Sequence, residues 1–347
     1  MKKILLSLGT CLAIISNIQA QDIHNTQYFA APLTLTPANT GLVQCDLRAA
    51  VNYRTQWNSV SSNPYTTVMA TFDMATMKGK LNNGDALGIG VAAYYDKAGA
   101  GAYTNLNIGP SIAYHKALGA NKQHTLSLGV QAVLVQKSID FTKLTFEDQF
   151  DVSTGGTPYA TGESFGNTDL TYPDFAAGLS YSGRINEHAT AYAGFSAYHL
   201  SAPVESFMKG GSSHQIHRRY TAYLGGSFDL NENVVLYASG LYQQQAKANE
   251  TVLGSAVGFV LNPGYDAEYR KPTIFYIGGW YRFGDAIAPY ISLSWTKMQI
   301  GLSYDVTVSN FTTATGGNGA MELSFIFNGC INRREKAPQY NFTCPKF

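Results

Sequence analysis

The chain has 347 residues, a formal charge of +1 and only 14% charged residues, with 34 Gly and 23 Tyr. That balance leaves no basic surplus to hold a nucleic acid or another polyanion. Abundant Gly and aromatics suit a sheet protein with tight turns and interfacial aromatic girdles.

Lys2 and Lys3 precede an apolar run from Ile4 to Ile18, and Ala20 offers a small residue for cleavage. Residues 1–20 therefore read as a secretory signal peptide. No later stretch reaches the roughly 18 unbroken apolar residues of a transmembrane helix. The exported chain is then soluble, anchored by a partner, or a barrel. Residues 21–44 are punctuated by Pro32, Pro37, Asn39 and Gly41. They read as a tethered N-terminal periplasmic arm.

From Cys45 the chain alternates with a period of two. Leu47, Ala49, Val51 and Tyr53 oppose Arg48, Asn52, Arg54 and Gln56; Val68, Ala70 and Phe72 oppose Thr67, Thr71 and Asp73. Leu126, Leu128, Val130 and Ala132 oppose Thr125, Ser127, Gly129 and Gln131. Strands with similar rows fall near 87–95, 105–115, 172–184, 189–199, 219–230, 233–245, 252–261, 273–283 and 287–296. The last hairpin is the clearest. Ile300, Leu302, Tyr304 and Val306 oppose Gly301, Ser303, Asp305 and Thr307, and after a polar loop Met321, Leu323, Phe325 and Phe327 oppose Glu322, Ser324 and Ile326. A strand whose two rows differ this sharply faces two solvents.

The fold class is all-β: a transmembrane antiparallel up-and-down outer-membrane β-barrel of about 14 strands over 45–328, an even number as closure requires. Long connections at 139–171 and 200–218 belong outside and short turns belong in the periplasm. That parity fails at 262–272, an inner connection of middling length, and at Gly284-Asp285, a very short outer one. Residues 329–347 form a periplasmic C-terminal tail, either a docking surface or a cap over the barrel mouth.

Nothing groups into a catalytic, metal or cofactor constellation. His214-x-x-His217 sits on a loop, and no nucleophile elbow is present. The chain is expected to be no enzyme. The inward rows carry a candidate charge cluster, Arg48, Arg54, Asp73, Asp305 and Glu322. It either seats a plug or bound partner segment, or is the ordinary lining of a wet lumen. The outer segment 140–171 carries Phe141, Phe146, Phe150, Tyr159 and Phe165, which pack over the mouth or meet a partner. Cys330 and Cys344, both after the last strand, are the expected disulfide; Cys45, at the start of the first strand, is the rival.

Several blocks resemble the PorP/SprF family. They are Gln27-Tyr28 with Pro32-Leu33-Thr34-Leu35-Thr36-Pro37-Ala38 and Gly41, Tyr53-Arg54-Thr55-Gln56-Trp57, Leu87-Gly88-Ile89-Gly90 with Asp96-Lys97-Ala98-Gly99, and Ser303-Tyr304-Asp305-Val306 with Gly319-Ala320-Met321-Glu322-Leu323-Ser324. Thr36 stands where the family usually has Asn. The resemblance implies an outer-membrane barrel of the type IX secretion and gliding machinery, with machinery subunits and the C-terminal sorting domain of secreted adhesins as partners. It implies no catalytic residue. A diffusion channel or hydrophobic-solute transporter is the alternative.

Overall fold

The computed structural model describes residues 22–43, 45–78, 80–81, 84–163, 165, 168–207, 214–262 and 272–330. The alternating rows become β1 (Leu47–Gln56), β2 (Tyr65–Thr76), β3 (Ala86–Ala98), β4 (Tyr103–Leu118), β5 (His124–Ser138), β6 (Asp169–Asn186) and β7 (Ala189–Tyr198). A two-residue pair, β8 (Val204–Glu205) and β9 (His214–Gln215), follows in a loop. The wall resumes with β10 (Arg219–Asn231), β11 (Val234–Gln245), β12 (Ala248–Asn262), β13 (Thr273–Arg282), β14 (Ala286–Trp295), β15 (Met298–Thr307) and β16 (Asn318–Gly329).

Omitting β8 and β9, 14 strands form one closed antiparallel barrel in sequence order. The seam pairs β1 with β16, from Leu47 opposite Gly329 to Gln56 opposite Ala320. The shortest of these strands has 10 residues, enough to cross a hydrocarbon core when tilted. Closure leaves no unpaired edge, the condition for a sheet to live in lipid.

The outward rows are exposed and apolar. Ile300, Leu302, Tyr304 and Val306 on β15 and Leu128, Val130 and Leu134 on β5 are all exposed. Their opposite rows are buried and polar, as with Ser303, Asp305 and Thr307 or Thr125, Ser127 and Gln131. That inversion places apolar side chains in lipid and polar ones in the lumen. The end bearing Leu47 and Gly329 also carries the short turns at 119–123, 187–188 and 232–233, so it is the periplasmic end. The outer end carries 139–168 and 199–218, but also the short turn at 283–285.

Two expectations are corrected. The arm, over residues 22–43, is not periplasmic: it runs through the lumen as a plug. Short turns at Tyr28–Ala30, Pro32–Leu35 and Pro37–Asn39 shape it, with Pro32 and Pro37 each opening one. Such turns have no period, so the sequence showed only irregularity. Cys330 pairs not with Cys344 but with Cys45, across the seam at the periplasmic end. Barrel closure brings those two residues, 285 apart in sequence, to a Cα separation of 4.7 Å. Cys344, residues 331–347 and the leader 1–20 lie outside the described residues.

Candidate functional site

The lumen holds the plug at four levels. At the periplasmic level, Arg48 on β1 donates to both oxygens of Asp73 on β2, at 3.0 and 2.8 Å. The same carboxylate accepts Gly41 N–H at 2.7 Å, and Arg48 also donates to Asn39 O at 3.0 Å. Thr40 O lies 2.8 Å from His115 Nε2. The plug passes so close to the wall that a Cβ at Gly88 would lie 1.8 Å from Thr40 O, and one at Gly129 would lie 2.3 Å from Pro37 O. These inward glycines are clearance for a second backbone.

At mid-depth, Phe29 sits among aromatic rings, with centroids 4.9 Å from Trp280, 5.6 Å from Tyr290 and 6.0 Å from Tyr237. Tyr198 Oη donates to Thr34 O at 2.9 Å and Ser196 Oγ to Leu35 O at 2.8 Å. Apolar burial supplies the affinity here, and wall hydroxyls satisfy the plug carbonyls that no sheet can pair.

Above this, Glu322 on β16 accepts two consecutive plug N–H groups, Thr26 at 2.7 Å and Gln27 at 2.8 Å. Arg54 bridges Glu322 to Asp305. Arg282 on β13 donates to Asp305 at 3.1 Å and to Thr26 Oγ1 at 2.6 Å. Glu322, Arg54, Arg282 and Asp305 are all buried. Charges removed from water this fully are tolerated because each is paired and hydrogen-bonded.

The outermost contact ties the plug to the root of the 199–218 loop. His199 places Nδ1 2.6 Å from Asp174 on β6 and Nε2 2.7 Å from Asp22 of the plug. Arg219, at the start of β10, reaches Asp22 at 3.2 Å while stacking on the Tyr198 ring at 4.3 Å. Gln245 accepts Asp22 N–H at 2.8 Å. Burial disfavours a charged imidazole, but the two carboxylates prevail and raise His199 to about 9. Burial opposes ionisation of Asp22 too, yet His199 and Arg219 hold it well below the usual carboxylate range. Beside this latch lies a cavity of about 70 Å³, lined in part by Asn25, Met69, Tyr94, Gln131, Arg219 and Glu250.

The five seam charges therefore fall into two groups, Arg48 with Asp73 and Arg54 with Asp305 and Glu322, one at each end of the plug. The sequence reading missed Asp22, Asp174, His199, Arg219 and Arg282. The inward face of β6 and β13 could have revealed Asp174 and Arg282 by the rule already applied at the seam. Among the loop aromatics, Phe141 and Phe165 stack at 3.9 Å and Phe146 lies 5.0 Å from Phe165. Phe150 and Tyr159 stay exposed, together with Val152 at 87%. Lys137 on β5 holds Glu205 of the neighbouring loop at 2.6 Å.

The family model described as type IX secretion system membrane protein PorP/SprF matches residues 17–327. The chain belongs to this family. The match takes in the whole plug and the barrel strands as far as Phe327 on β16, and with the closed barrel it places this PorP/SprF protein in the outer membrane. No curated protein sequence matches it. Among solved structures it is similar to the Ralstonia pickettii toluene transporter TbuX, at 12% identity and a TM-score of 0.48, covering 87% of this chain and 94% of that one. A Pseudomonas aeruginosa FadL homologue aligns at 11% identity and a TM-score of 0.43, covering 89% and 99%. The P. putida toluene transporter TodX aligns at 10% identity and 0.46, covering 86% and 93%.

Proposed function

We propose that this PorP/SprF protein is a non-enzymatic, plugged accessory barrel of the type IX secretion and gliding machinery. It supports export or surface retention of secreted adhesins by holding their C-terminal sorting domain with its outer loops. The observation that carries this reading is the division of labour between lumen and loops. The plug occupies the bore with its backbone hydrogen-bonded to the wall, whereas the outer loop at 139–168 offers Phe150, Val152 and Tyr159 to solvent. Exposed apolar groups on an outer loop are costly unless a partner covers them.

Shortening 145–168 to a Gly/Ser turn should leave the barrel inserted, with normal heat-modifiable mobility. Surface display of one cognate adhesin, measured by whole-cell labelling, should fall while other secreted proteins are little affected. Unchanged display places recognition elsewhere. The channel alternative requires stable openings in planar bilayers; the plugged barrel should show none.

A further inference from the structure

The Asp22 pocket is a carboxylate site built from three elements of the wall. Arg219 comes from the start of β10, His199 from just after β7 and Gln245 from the end of β11. Stacking on Tyr198 fixes the plane of the Arg219 guanidinium. One of its terminal nitrogens takes Asp22, but its Nε is buried and has no partner. Arg219 as a residue is only 8% exposed. An arginine presents two edges to carboxylates, and here the side edge is unused. The cavity beside it holds one further buried acceptor without a hydrogen bond, Asn25 Oδ1, while Glu250 Oε1 is ion-paired with Arg282 Nε at 3.8 Å. Leaving such groups without partners costs free energy that a suitable ligand recovers. One donor edge for a carboxylate beside an amide oxygen for an N–H group matches the end of a polypeptide. The same molecule already shows that pairing, since Glu322 accepts the successive N–H groups of Thr26 and Gln27.

We propose that the outer mouth is a receptor for the C-terminal carboxylate of a partner polypeptide, with Arg219 and His199 as its cationic wall and Asp22 of the plug as the resident competitor. This rests on the reading that a secreted polypeptide engages the outer loops, and it specifies which part of that polypeptide is read. Arg219 Nε is shut off from solvent, so a carboxylate reaches it only when the plug beside it shifts. Taking the Asp22 position as well frees the outer end of the plug from the 199–218 loop.

The test uses the full barrel in detergent and fluorescein-labelled trialanine, as the free acid and as the C-terminal amide, followed by anisotropy. Asp22→Asn should bind the acid more tightly than the parent, by roughly tenfold, the scale of one charged hydrogen bond. The amide should bind neither protein. Adding Arg219→Gln to Asp22→Asn should abolish acid binding, with heat-modifiable mobility as the folding check and Arg219→Lys as the substitute if that check fails. Acetate at equal concentration should not displace the peptide. Equal binding of acid and amide, no gain from Asp22→Asn, or full displacement by acetate each overturns the proposal. Such a result alongside a loss of adhesin display on loop shortening sinks this inference alone.

Discussion

Glu322 meets three separate needs with one carboxylate: two plug N–H groups and the Arg54 guanidinium. Replacing it with Gln keeps the shape but leaves Arg54 underpaired in a buried site. Breaking such a pair costs about 3–5 kcal/mol. Glu322→Gln should therefore expose residues 22–30 to protease in the folded barrel, while Ser292→Ala, on the same lumen wall, should not. His199 carries a pH signature. Its folded value is raised from 6.5 to about 9, so its contribution is complete below 6.5 and disappears as pH climbs through 9. Asp22 is depressed, so its contribution is present above 3.8 and is lost as pH falls from there. Protection of the amides of residues 22–27 against hydrogen exchange, corrected for intrinsic rate, should hold at about pH 5–6.5 and fall above about pH 9. At this scale the sequence was half legible. Arg48, Arg54, Asp73, Asp305 and Glu322 stood out as charges in otherwise small or polar inward rows. Asp22, His199 and Arg219 lie before the barrel, after one strand and at the start of another, and only closure makes them neighbours.

The two faces of β16 make a controlled comparison. Leu323 faces lipid, whereas Ser324 faces the lumen and donates to Gln27 Oε1 at 2.6 Å. Leu323→Arg near the midplane should cost roughly 2–4 kcal/mol and impair insertion. Ser324→Arg should insert but unseat the plug, because the lumen there is already filled; protease sensitivity of residues 22–30 reads this directly. Gly129→Val should do the same from the opposite wall, where Pro37 O leaves no room for a side chain. Strands were legible because lipid and a polar lumen demand opposite rows, and that contrast writes a period of two into β1, β5 and β15. The plug demands no period: its turns are set by Pro32 and Pro37 and its contacts are scattered over the wall. Its destination was nevertheless recorded in the inward glycines Gly88 and Gly129, which by themselves look like ordinary sheet glycines.

Across the whole molecule, the Cys45–Cys330 bridge fastens the seam where the plug leaves the lumen. In the chain-entropy model a loop this long is worth up to about 5 kcal/mol. Peptide mapping without reduction should recover Cys45 joined to Cys330, and Cys45→Ser should lower the temperature at which the heat-modifiable band shifts. The Thr26–Glu322 contact has a further consequence, for the timetable of assembly. Its partners lie 296 positions apart, so one belongs to the first part of the polypeptide to be made and the other to its final strand. The Thr26–Gln27 part of the plug finds its carboxylate acceptor only once the last strand is in position. Contacts this distant are slow to form because the intervening chain must first be brought together. A chain cut at residue 297 lacks Asp305 and Glu322, the acceptors of Thr26 and Gln27, and should leave residues 22–30 open to periplasmic proteases and be cleared before it leaves a half-closed hole in the cell surface.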